Sequence, residues 1–119
     1  MSKFVIEGGF PLQGTITVSG NKNAALKLLP ACILTDEPVV LHNIPDIQDV
    51  RNTILILRDL GVEVTELSPG SWRVHAQRIH KTELDSLLAG RTRASFVFSG
   101  PMVARMGEVI LPLPGGDVI

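Results

Sequence analysis

The order of helix starts, prolines and loops in this 119-residue chain begins a second time before the chain ends, and no other feature narrows its fold so far. At an offset of 71 residues Lys22 falls on Arg93, Pro30 on Pro101, Glu37 on Glu108 and Asp46 on Asp117. Three of these four pairs are identities, a number that chance can supply. The weight lies in the shared succession of helix start, mid-helix proline, turn, apolar strand and loop. The reading is one unit followed by the start of another, with a core completed by further sequence. That predicts exposed apolar surface and marginal stability for these residues alone.

Local patterns supply the elements. Phe4-Val5-Ile6 and Thr15-Ile16-Thr17-Val18 read as strands of an N-terminal hairpin turned at Gly8-Gly9-Phe10-Pro11. Ser19-Gly20-Asn21 offers turn and cap residues, and the Ala and Leu content from Lys22 onward predicts a helix to about Leu34, bent or loosened at Pro30. Val39-Val40-Leu41 reads as a strand. Asp46 is expected to cap a second helix, with Asp49 near its positive end, a stripe of Val50, Ile54, Ile56, Leu57 and Leu60, and Gly61 as a left-handed stop. Val62–Thr65 and Trp72–His75 form a hairpin around Ser68-Pro69-Gly70. A short polar helix over Thr82–Leu88 is broken by Gly90. A third main helix from about Thr92 to Met106, the strand Val109-Ile110-Leu111 and the loop Pro112–Gly116 complete the chain. The fold class is α/β, in the α+β sense.

Charge and cysteine content exclude several functions. Eleven basic and twelve acidic side chains leave a net charge of -1, so there is no electrostatic footprint for nucleic acid or an anionic membrane. A polyanion must be met by a few placed cations. The single cysteine, Cys32, rules out an internal disulfide and a Cys-based zinc site. The first residues lack the apolar stretch of a signal peptide, and no window approaches the ~18 apolar residues of a membrane span, so a cytoplasmic location is expected. His42, His75 and His80 have no metal-ligand spacing, and neither a P-loop nor GxGxxG is present, so no metal site is expected.

Three constellations carry possible chemistry. Ser19-Gly20-Asn21-Lys22-Asn23 places a cation in the first turn of a helix, where N–H groups and the dipole already favour an anion; a capped helix with a solvated lysine is the alternative. Arg91-Thr92-Arg93 repeats the arrangement at the later helix start, with Arg105 near that helix's other end. Such arginines hold phosphate or carboxylate through two donors, or simply decorate a helix. Pro114-Gly115-Gly116-Asp117 is a flexible loop that presents a carboxylate, either as a general acid or as a turn residue. Cys32 reads as a buried, inert thiol and Trp72 as a packing residue.

In order along the chain, Gly14-Thr15-Ile16-Thr17-Val18-Ser19-Gly20-Asn21-Lys22-Asn23-Ala24-Ala25-Leu26, Asn43-Ile44-Pro45-Asp46-Ile47-Gln48-Asp49-Val50, Arg93-Ala94-Ser95, Gly100–Gly107 and Leu113-Pro114-Gly115-Gly116-Asp117 closely resemble the N-terminal part of the bacterial UDP-N-acetylglucosamine 1-carboxyvinyltransferases. The resemblance covers essentially the whole chain. The segment around Lys22 differs from that of the related enzymes that act on shikimate 3-phosphate. The resemblance implies two similar domains, each an inside-out barrel of repeated β-α-β-α-β-β units, with the active site between them. Residues 1–20 would be a hairpin belonging to the second domain. Residues 21–119 would be an incomplete first domain, with one full unit at about 21–90 and the start of the next.

The activity so implied is transfer of the enolpyruvyl group of phosphoenolpyruvate to the 3-hydroxyl of UDP-N-acetylglucosamine with release of phosphate, the first committed step of peptidoglycan synthesis. The resemblance implies no metal or organic cofactor. Lys22 and Asn23 would hold phosphoenolpyruvate, with Lys22 also stabilising charge at the reacting centre, and Arg93 would contact the nucleotide sugar. Asp117 stands where most members carry a cysteine, and would be the general acid that protonates the methylene carbon. A carboxyl can do so if a partly dry site or neighbouring anions raise its pKa from about 3.9. Further functional residues would lie in the remainder of the two-domain enzyme, so the chain alone is expected to be inactive. The rival expectation is a stand-alone module that binds a nucleotide sugar or a partner protein without catalysis.

Fosfomycin alkylates the family's loop thiol, and a carboxylate is a much poorer nucleophile towards its epoxide. The full enzyme is therefore predicted to be insensitive to the drug. Rapid, time-dependent inactivation that disappears in Asp117→Ala would contradict this.

Overall fold

Asn21 starts the first helix. Its backbone is extended, and its Oδ1 accepts a hydrogen bond from the Ala24 amide at 2.9 Å, which caps α1 (Lys22–Ala31). The computed structural model describes residues 2–113. Pro30 has no N–H to donate to the Leu26 carbonyl inside α1, and α-geometry gives way just beyond it to a 3₁₀ turn, Cys32–Leu34. The expected loosening is thus present.

The segment 71 residues on uses the same parts in the reverse order. Thr92, extended and buried, accepts the Ala94 amide on its hydroxyl at 3.1 Å and starts a 3₁₀ helix, Arg93–Phe98, which runs into the α-helix Ser99–Met106. Pro101 lies in the first turn of that α-helix, where its missing donor costs no internal bond. The offset of 71 residues therefore lays one helix start on the other. Where the proline falls decides which part is α and which is 3₁₀.

Between the two starts lie β1 (Pro38–Leu41), α2 (Gln48–Asp59), β2 (Glu63–Ser68), β3 (Ser71–His75) and α3 (Ser86–Ala89), so the helix Ser99–Met106 is α4. The three strands form one antiparallel sheet in the order β1-β3-β2. Val74 at its centre pairs with Val39 on one side and Val64 on the other. Gly70, at φ +80°, makes the turn between β2 and β3, and Gly61, at φ +98°, stops α2 as the sequence predicts. The expected stripe on α2 is buried throughout. It meets Leu29 and Ile33 from the first copy, Phe98 and Met102 from the second, and Val74 from the sheet in one core, and Trp72 packs at its margin.

Four expectations are corrected. Ile47, not Asp46, is the cap residue of α2; the Asp46 carboxylate instead accepts from Arg51 Nε at 2.7 Å, and that guanidinium holds its carboxyl below the usual carboxylate range. α3 starts at Ser86 rather than Thr82, because Asp85 Oδ1 accepts the Leu87 and Leu88 amides and caps the helix there. Val109–Leu111 is not a strand: Ile110 makes a single parallel bridge to Glu83, with too short a neighbour to extend the ladder. Residues 2–20 contain no strand, and Phe4, Ile6 and Ile16 are 96%, 88% and 91% exposed. A two-stranded hairpin without a third strand or a helix against it does not offset its own ordering entropy.

Arg105 ties the copies together. From α4 its Nη1 donates to the Ile33 and Thr35 carbonyls at 2.8 and 3.1 Å, and its Nη2 donates to the Ala76 and Gln77 carbonyls at 2.8 and 3.2 Å. Neither open reading, an anion holder or a helix-surface arginine, describes this role, since four donor contacts are spent on main chain. Among the described residues no helix is long and apolar enough to cross a membrane. Replacing Arg105 with Leu should lower unfolding stability by about 2–4 kcal/mol in urea titration, because charged, part-buried hydrogen bonds are lost and carbonyls are left unpaired. An unchanged midpoint would contradict the clamp.

Candidate functional site

The two helix starts open onto one cleft. α1 packs against both α2 and the 3₁₀ helix Arg93–Phe98, and the three leave a space of about 490 Å³ lined by Lys22, Asn23, Leu26, Lys27, Asp49, Arg91, Thr92, Arg93, Ala94 and Val97. Three of the four site residues expected from the sequence, Lys22, Asn23 and Arg93, are thereby brought together. The fourth, Asp117, lies outside the described residues, as do Pro114, Gly115 and Gly116.

Local chemistry fixes each wall. On the second copy, Ser95 Oγ donates to the Thr92 carbonyl at 3.0 Å, and both residues are buried, which pins the turn that presents Arg91 and Arg93. On the first copy, Gly20 lies directly on the backbone of Asn43, itself left-handed at φ +57°; a Cβ at Gly20 would collide with the Asn43 carbonyl oxygen. The loop before α1 thus rests on the loop before α2. Lys22 at the start of one helix meets Asp49 in the first turn of the other, with 2.8 Å between Nζ and Oδ2.

Among the described residues the cleft lining carries four cations, Lys22, Lys27, Arg91 and Arg93, against the single carboxylate of Asp49. In a chain of net charge -1 this is a concentrated positive field, and it suits a small anion more than a long polyanion. The amide of Asn23 adds a neutral donor and acceptor. Asp49, Lys27 and Gly20 are the parts that sequence reasoning missed. Lys27 was accessible to it, because Lys22, Asn23, Leu26 and Lys27 share one helical face. The Lys22–Asp49 pair and the Gly20–Asn43 contact have no local signature.

The remaining polar candidates are spent elsewhere. His75 Nε2 donates to the Asp36 carbonyl at 2.9 Å, His42 Nδ1 shares a hydrogen bond with Ser71 Oγ at 3.0 Å, and the His80 ring packs over Gly61. Among the described residues no group of His, Cys, Asp or Glu is arranged to hold a metal ion. Cys32 is buried, as expected, with Sγ 3.3 Å from the Leu28 carbonyl, and burial pushes its thiol up to about 11.

The fold and the cleft define a class. Residues 6–119 match the profile of EPSP synthase (3-phosphoshikimate 1-carboxyvinyltransferase), and the chain belongs to that family. Within it, the chain is similar to the UDP-N-acetylglucosamine 1-carboxyvinyltransferases of Treponema denticola, 42% identical over 119 residues, and Borreliella burgdorferi, 44% identical over 119 residues. Each match takes in 100% of this chain and 28% of the relative, so the chain spans little more than a quarter of their length. The solved structure of the enolpyruvyl transferase NikO from Streptomyces tendae superposes with a TM-score of 0.70 at 28% identity, over 84% of this chain and 23% of that one.

The Cys32 thiol gives this subsection's prediction. Its ordinary value is 9.0 and its folded value about 11, so from pH 9 to 11 the unfolded chain releases a proton that the folded chain keeps. The stability contributed by the neutral thiol is full below pH 9 and is lost as pH rises through about 11. Native Cys32 should react with a disulfide reagent at pH 8 at least about a hundredfold more slowly than in urea. Equal rates would contradict its burial.

Proposed function

We propose that these residues form part of an enzyme that transfers the enolpyruvyl group of phosphoenolpyruvate to the 3-hydroxyl of UDP-N-acetylglucosamine and releases phosphate. The observation that carries the reading is the convergence of two capped helix starts, bearing Lys22 and Asn23 on one side and Arg93 on the other, on one cationic cleft. The names of the relatives select the acceptor: those cited act, by name, on UDP-N-acetylglucosamine.

In this reading Lys22 and Asn23 bind the phosphate of phosphoenolpyruvate, and Arg93 contacts the nucleotide sugar. Asp117 gives a proton to the methylene carbon while the sugar hydroxyl adds to the adjacent carbon. The tetrahedral adduct then loses phosphate, and the methylene is restored by loss of the added proton. Lys22 is worth most where charge builds on the phosphate-bearing centre, since a preorganised cation there lowers the barrier without reorganising. The base for the hydroxyl and further arginines come from the rest of a two-domain enzyme, in which residues 1–20 pair as a hairpin only against the second domain and residues 21–119 begin the first. The exposed Phe4, Ile6 and Ile16 support that assignment, since their apolar surface calls for a partner. The biological setting is cytoplasmic peptidoglycan synthesis, and with it cell shape and division. Insensitivity to fosfomycin belongs to the same reading through Asp117.

A chimera tests it. Residues 1–119 joined to the remaining length of the Treponema denticola relative should release phosphate from phosphoenolpyruvate with UDP-N-acetylglucosamine and not with shikimate 3-phosphate. Lys22→Ala should cut kcat/KM at least about a hundredfold. The 119-residue chain alone should show no turnover. An active chimera unaffected by Lys22→Ala would defeat the assignment of the cleft.

A further inference from the structure

We propose that Asp49 is a positioning residue of this cleft, which fixes the ammonium of Lys22 at the meeting point of the two helix starts. The proposal rests on the functional reading above only in naming the anion that Lys22 serves.

The geometry sets the roles within the pair. Asp49 Oδ2 stands 2.8 Å from Lys22 Nζ, and the side chains are 31% and 55% exposed respectively. The carboxylate is the more enclosed partner, and both groups line the cleft. Asp49 lies in the first turn of α2, whose cap residue, Ile47, offers no side-chain acceptor, so the positive end of that helix favours a carboxylate at this place. Its main chain is held as well: the hydroxyl of buried Thr53 donates to the Asp49 carbonyl at 2.8 Å. The nearest other cation on α2, Arg51, is engaged by Asp46 at 2.7 Å. Gly20 against Asn43 then brings the two helix starts to a fixed separation.

An ammonium is a point charge on a flexible four-carbon stem, and a fixed carboxylate at 2.8 Å narrows where it can sit. Its three donors can serve Asp49 and an anion in the cleft together. Asp49 thus acts through Lys22 and need not touch the substrate. Its negative charge opposes an incoming anion, a cost that aiming Lys22 offsets.

The test is trace acetylation of the 119-residue chain with acetic anhydride, read at each lysine by peptide mass spectrometry. Asp49→Asn should raise the acetylation of Lys22 about three- to fivefold, the upper part of the range for an ion pair of this exposure, while Asp49→Glu stays within about twofold of the parent. Lys3 and Lys27 should not change in either variant. An unchanged Lys22 would overturn the proposal; so would an equal rise at all three lysines, which would mark Asp49 as a support of the fold alone. In the chimera, Asp49→Asn should lower kcat/KM about tenfold with Lys22 present and leave it unaltered in a Lys22→Ala background, because coupled residues are non-additive. Equal losses in both backgrounds would also refute it. The acetylation readout contains no substrate, so failure of the functional reading shows separately, as an absence of phosphate release by the parent chimera.

Discussion

The arrangement depends on the Arg105 guanidinium. Four main-chain carbonyls, two just after α1 and two just after β3, converge on one side chain from α4. Those carbonyls end a 3₁₀ turn and a strand, where acceptors run out of local donors. A lysine could not serve them, since only the planar fork reaches several acceptors at once. With the second copy held in this way, Phe98 and Met102 enter the core beside Leu29 and Ile33, and the 3₁₀ helix that starts at Arg93 comes to rest against α1.

The cleft follows from that docking. Neither helix start is an anion site by itself; Asn21 and Thr92 already satisfy amides of their own helices. What the fold adds is adjacency, so that cations from both copies face a common space and Asp49 disciplines one of them. The earlier helix start brings a lysine to this space and the later one two arginines.

Much of this was legible in the sequence because its causes are local. Asn21 precedes an Ala- and Leu-rich stretch, Pro30 interrupts it, Gly61 and Gly70 take positive φ, and the stripe from Val50 to Leu60 is buried throughout. Misreadings arose where a long-range partner, or the lack of one, decides. Asp46 had the right residue type for a cap but is taken by Arg51, and Val109–Leu111 has strand composition but only Glu83 to pair with. Phe4–Ile6 and Thr15–Val18 are strand-like in pattern and unpaired here. Arg105 was the hardest to read, because its acceptors are backbone carbonyls up to 72 residues away and a carbonyl has no sequence signature. At the site, Lys22, Asn23 and Arg93 were found by motif and helix-start chemistry, whereas Asp49 became visible only once Gly20 was seen to lie on Asn43.

The central claim is that two helix starts, 71 residues apart in sequence, form one anion site. Amide chemical shifts of the ¹⁵N-labelled chain, followed during titration with phosphoenolpyruvate, test it most directly. The account predicts that amides of Lys22–Ala25 and of Arg93–Val97 move together along one saturation curve, and that both responses vanish in Lys22→Ala. Movement of one segment without the other, or two different curves, would contradict it.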